Sequence, residues 1–122
     1  MIDRLAVQLA MVFCATSLQA ATLYVPDDFA TIQAAIDAAV AEDTIRVRPG
    51  TYFEHLQIVD KNLTLESTAG PEVTILYGNG EGRILTLNGS FTFAVRGFTL
   101  QNGQASGGGA AYAWRARGTL EN

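Results

Sequence analysis

Residues 44–50 read Thr-Ile-Arg-Val-Arg-Pro-Gly, with Ile45 and Val47 set between polar neighbours and a Pro49-Gly50 break directly after them. Alternation of this kind puts one face of an extended strand against a core and the other in solvent, and Pro-Gly ends the strand. The same unit recurs down the chain. Leu56 and Ile58 flank Gln57, Leu63 and Leu65 flank Thr64, and Val73 and Ile75 flank Thr74; Leu85 and Leu87 then flank Thr86, and Phe98 and Leu100 flank Thr99. Turn formers separate these runs: Asp60-Lys61-Asn62, Ala69-Gly70-Pro71, Gly78-Asn79-Gly80, Asn88-Gly89-Ser90, Gly97 and Asn102-Gly103. Each run is expected to be a short strand whose apolar members share one buried face.

Upstream of residue 44 the period changes. Leu23 and Val25 alternate as a first strand, which Pro26-Asp27-Asp28 breaks. Ile32, Ala35, Ile36, Ala39 and Val40 then recur at i, i+3, i+4, i+7 and i+8, the apolar stripe of a helix, with Thr31 placed as N-cap. The pattern predicts a helix over 31–41 that faces a core along that stripe, with Glu42-Asp43 returning the chain to solvent. Further upstream, Leu5 to Ala15 is apolar apart from Gln8, and the stretch closes on Leu18-Gln19-Ala20. This predicts a secretory signal peptide over 1–20, too short for a permanent anchor. Cys14, the single cysteine, leaves with it. A mature chain from Ala21 is then cysteine-free, which suits a secreted, periplasmic or cell-surface location.

Composition narrows the classes of function. Eight Lys plus Arg stand against 12 Asp plus Glu, a net charge of −4, which argues against a nucleic-acid surface. With 48% apolar and 16% charged residues the chain is too apolar for disorder. One cysteine excludes an internal disulfide and a cysteine-rich zinc site. Internal echoes favour a solenoid over a sandwich or barrel. Asn62-Leu63-Thr64-Leu65-Glu66-Ser67, Phe98-Thr99-Leu100-Gln101-Asn102 and Thr119-Leu120-Glu121-Asn122 are alike, and the last two lie twenty residues apart, about one coil. Asn102 and Asn122 would suit a stacked turn position.

Phe29-Ala30-Thr31-Ile32-Gln33-Ala34-Ala35-Ile36-Asp37-Ala38-Ala39, Thr44 to Tyr52 and Asn62-Leu63-Thr64-Leu65 together resemble the N-terminal part of right-handed parallel β-helix proteins of the pectin lyase-like superfamily. Gly70 to Leu76, Val95 to Gly103 and Gly107-Gly108-Gly109-Ala110 look like further coils, so the resemblance spans nearly all of Leu23 to Asn122. It implies an all-β, right-handed parallel β-helix over 21–122. A capping strand and α-helix would occupy 22–43 and about three coils 44–122, and the solenoid would be incomplete. The opening segment is also similar to that of pectin methylesterases. The family includes polysaccharide lyases, hydrolases and esterases, whose catalytic segments lie further along their chains.

No catalytic constellation appears in these residues, and no cofactor or metal site is expected. After Asp60 the acids are Glu66, Glu72, Glu81 and Glu121, which are too scattered for an acid-base pair or a calcium cage. His55 has no second imidazole beside it and is expected at the surface, and Gly78 to Gly82 and Gly107 to Gly109 are expected as turns rather than a phosphate cradle. One constellation carries binding chemistry. Tyr77, Tyr112 and Trp114, with Tyr52, could stack on pyranose rings, while Arg96 and Arg115, with Arg117, could pair with uronate carboxylates. The expectation is an exported module that binds polysaccharide or builds a cell-envelope or extracellular structure without catalysis. The alternative is the N-terminal part of a pectin methylesterase-like or pectate lyase-like enzyme whose active site follows residue 122. No nucleic acid and, after signal cleavage, no membrane is expected as a partner. Self-association through an uncapped C-terminal coil is.

Overall fold

The structure, a computed structural model, describes residues 20–103, 111–114 and 117–121. Residues 1–19 of the expected signal peptide, Gly107 to Gly109, Arg115 and Asn122 lie outside the described residues. The chain opens with strand β1 (Thr22–Val25) and helix α1 (Ile32–Ala38). It continues through β2 (Asp43–Val47), β3 (Gly50–Tyr52), β4 (Leu56–Val59), β5 (Leu63–Ser67) and β6 (Thr74–Tyr77). Then follow β7 (Leu85–Asn88), β8 (Thr92–Arg96), β9 (Thr99–Gln101), β10 (Ala111–Trp114) and β11 (Arg117–Glu121).

These strands form three sheets, ordered β1-β2-β5-β8-β11, β3-β6-β9 and β4-β7-β10, and their pairings are parallel. Parallel neighbours need a crossover between them. Here the crossover is the other two sheets: from β2 onward the chain visits the first, second and third sheet in turn, three times, and β11 returns to the first. The result is a mainly β, solenoid-like stack.

Register puts apolar residues in inward columns. Ile45, Leu65 and Val95 stack in the first sheet, Leu76 lies between Tyr52 and Leu100 in the second, and Leu56 and Ile58 meet Leu85 and Leu87 in the third. Most of these side chains are fully buried, and burial of each stabilises the coil by roughly 1.5–3 kcal/mol.

Helix α1 lies over one end of this interior, with Ile32, Ala35, Ile36 and Ala39 buried in the same core. Thr31 is its N-cap, and Oγ1 accepts from Ala34 N at 3.1 Å. Three side chains fasten the helix to β4 and its flanks. Glu54 accepts from Ile32 N and Gln33 N at 3.0 Å each, and Lys61 Nζ donates to Ile36 O at 2.8 Å. The Gln33 amide accepts from Gln57 N (2.8 Å) and donates to Gln57 O (3.1 Å), which replaces a neighbouring strand along β4. The open side of β1 is closed in a related way. Asp28 Oδ2 accepts from Tyr24 N, and Tyr24 O accepts from Asp28 N and Phe29 N. Unpaired edge groups invite pairing with other chains, and these bonds occupy those of Tyr24 and Gln57.

The structure corrects four readings of the sequence. The helix stops at Ala38 rather than 41, because Ala39 turns to an extended conformation, and Val40 leaves the stripe with 58% of its surface exposed. Asp43 does not return to solvent. It is buried and accepts from Ala21 N (2.8 Å) and Val40 N (2.9 Å). In β6 the inward residues are Thr74 and Leu76, while Val73 is 46% exposed, so the alternation runs one residue out of phase with the expected one. Finally, the twenty-residue echo joins different sheets. Leu100 sits in β9 opposite Leu76, and Leu120 in β11 opposite Val95. Along the first sheet the spacing varies, since Ile45 meets Leu65 and Leu65 meets Val95.

Thr74 is fully buried, and its Oγ1 has no partner among the described residues. A buried hydroxyl without a hydrogen bond costs free energy that a methyl group of the same shape does not. Thr74→Val is therefore expected to raise stability by about 1 kcal/mol. In a thermal melt that is a gain of roughly 4–8 °C for a domain of this size. An unchanged or lower melting temperature would show that the hydroxyl is satisfied.

Candidate functional site

Outward positions form columns of their own. In the first sheet, Tyr24, Arg46, Glu66 and Arg96 fall in one register line. Arg46 Nε lies 3.0 Å from Glu66 Oε2, and an Arg96 guanidinium nitrogen lies 3.5 Å from Glu66 Oε1. One carboxylate is thus shared between two guanidiniums across strands, and the trio keeps one net positive charge. Beside this line run Thr22, Thr44, Thr64 and Ala94. A shallow pocket of about 180 Å³ opens at its edge, lined by Glu42, Asn62, Thr64 and Thr92 among others. Asn62 Nδ2 donates to Glu42 Oε2, and Asn62 Oδ1 accepts from Thr92 N, both at 2.8 Å. The pocket's amide is therefore already committed to holding successive coils together.

The second sheet carries a different surface. Tyr52 pairs in register with Leu76; Phe53, just past the end of β3, lies beside Tyr77, and Gln101 stands opposite Tyr77. Phe53 is 69% exposed, and its ring meets that of Tyr77 edge-on at 5.4 Å and 72°. Asn102 follows β9 in a left-handed conformation (φ 60°), which a short amide side chain tolerates. That turn brings Asn102 Nδ2 to 2.7 Å from the Tyr77 hydroxyl, to which it donates. Tyr77, thus fixed, and Phe53 form an exposed aromatic step bordered by the amides of Gln101 and Asn102. Next to it the half-buried Tyr52 donates to Arg48 O at 2.8 Å. Burial first, and then the negative charges of Glu54 and Asp27, raise the pKa of its phenol.

The residues predicted from sequence fall on separate sheets. Tyr77 lies on the second sheet in the aromatic step, and Arg96 on the first sheet beside Glu66. Tyr112 and Trp114 lie on β10 of the third sheet, opposite Thr86 and Asn88, and Arg115 lies outside the described residues. Phe53 was not among them. It follows the Gly50–Tyr52 strand with no polar alternation to mark its face, and its exposure and its ring contact with Tyr77 show that it points outward. His55 is exposed and its Nδ1–H donates to Arg83 O at 2.7 Å.

Several carboxylates are engaged in holding the chain together. Asp43 and Glu54 accept backbone N–H groups, Glu66 holds two arginines, Asp27 pairs with Arg48 at 2.7 Å, and Asp60 accepts from Ser90 N at 3.2 Å. Among the described residues no group of three or more His, Cys, Asp or Glu gathers where a metal ion could be held. No protein-family model, curated protein or solved structure matches the chain.

Proposed function

We propose that this chain is an exported right-handed parallel β-helix module, of the pectin lyase-like kind, that binds polysaccharide at a surface without cleaving it. The exposed Phe53–Tyr77 step carries the proposal. A sugar ring presents an apolar face that stacks on an aromatic ring and hydroxyls that need donors and acceptors at its rim, and Phe53 with Gln101 and Asn102 supplies both. The non-catalytic part of the proposal is supported by the structural bonds that engage Asp43, Glu54, Glu66 and Asp27.

Affinity electrophoresis in gels containing soluble glycans, with pectic and neutral polymers in the panel, tests this reading. The wild-type protein is expected to be retarded, and Phe53→Ala is expected to weaken binding about tenfold, the loss of one stacked ring. The variant should melt with the wild type, because Phe53 is 69% exposed. Equal retardation of the two proteins would remove the aromatic step as the site, and retardation of neither by any glycan would remove the binding role.

A further inference from the structure

We infer that the polysaccharide taken by this surface is neutral rather than a polyuronate, an inference that rests on the binding role proposed above. A polyuronate carries a carboxylate on each ring, and a protein that selects it must present guanidinium or ammonium groups whose donors are available. The described side-chain cations are committed elsewhere. Arg46 and Arg96 flank Glu66, and Arg48 pairs with Asp27 while lying 5.9 Å over the Tyr24 ring. Lys61 closes the end of helix α1 through Ile36 O, and Arg83 is half-buried and engaged within the chain.

The surroundings of the aromatic step point the same way. Glu54 follows Phe53 directly and stays within the fold as the carboxylate that binds Ile32 N and Gln33 N, and the whole chain carries a net charge of −4. The groups that border the step, Gln101, Asn102 and the Tyr77 hydroxyl, are uncharged donors and acceptors suited to sugar hydroxyls. A polyanion approaching this border meets uncharged groups, on a chain whose net charge is −4.

The test compares the purified full chain on two probes, galactomannan and polygalacturonate, at low and high salt. Galactomannan is expected to bind at least about tenfold more tightly, the worth of one missing charge-assisted bond per contacted ring. Its affinity should stay within about twofold between 50 and 500 mM NaCl, since no ion pair is there to be screened. Equal or tighter binding of polygalacturonate overturns the inference and leaves the binding role standing, whereas binding of neither probe overturns both. A second variant tests the masking itself. Glu66→Gln releases Arg46 and Arg96 from their shared carboxylate and is expected to raise binding of polygalacturonate several-fold in low salt, an effect lost at 500 mM NaCl. Wild-type weakness toward polygalacturonate in that variant would overturn the masking argument.

Discussion

Leu76→Ala is expected to lower the unfolding free energy by about 3 kcal/mol, while Val73→Ala, three residues upstream, changes it by less than about 0.5 kcal/mol. Both side chains are aliphatic, and the sequence run Val73-Thr74-Ile75-Leu76 offers no compositional reason to rank them so differently. Geometry does. Leu76 is fully buried, with Tyr52 on one neighbouring strand and Leu100 on the other, so truncation leaves a hole that three coils must share. Val73 lies in the turn before β6, with its N–H donating to Gly70 O, and already exposes 46% of its surface. Urea unfolding of the two variants side by side decides the matter. Similar losses, or a larger loss at Val73, would mean that β6 is shifted by one residue and that Thr74 faces solvent.

That comparison marks where the sequence was legible. Runs with one apolar face and a turn on each side, such as Ile45-Arg46-Val47 and Leu85-Thr86-Leu87, have a single inward phase, and the structure adopts it. Val73-Thr74-Ile75-Leu76 contains two overlapping phases, and the choice between them is made by neighbours in register, not by the run itself. Coil length was obscured for a related reason. Turns between strands differ in size, so echoes such as Phe98 to Asn102 and Thr119 to Asn122 record the common chemistry of a strand and its exit, not a shared sheet. The helix was readable through Thr31 and its stripe, yet its end was not, because a carboxylate beyond the stripe fixes it. Phe53 stayed hidden because an outward aromatic just past a short strand differs from a core aromatic only in its neighbours.

The carboxylate that fixes the helix end carries the second large effect. Asp43 shares its parity with Ile45 and Val47 and therefore starts β2 on the inward side, although it is charged. Its two oxygens divide the work: Oδ1 accepts from Ala21 N ahead of β1, and Oδ2 accepts from Val40 N just past helix α1. One side chain thus fastens the first strand, the helix exit and the first coil to one another. Asp43→Ala removes the charged acceptor of both N–H groups from a part-buried contact, and about 3 kcal/mol of stability is expected to be lost. Domains of this size hold only about 5–15 kcal/mol in total. Asp43→Asn keeps the shape but turns one acceptor into a donor that faces an N–H group, so roughly half the loss should remain. Hydrogen exchange adds the spatial test. If Asp43 holds the cap, the amides of Ala35 and Ala39, bonded to Thr31 O and Ala35 O, lose protection in Asp43→Ala before those of β5 and β8 do. Uniform loss across all three sheets would make Asp43 a general core residue, and wild-type stability would show that water replaces both of its bonds.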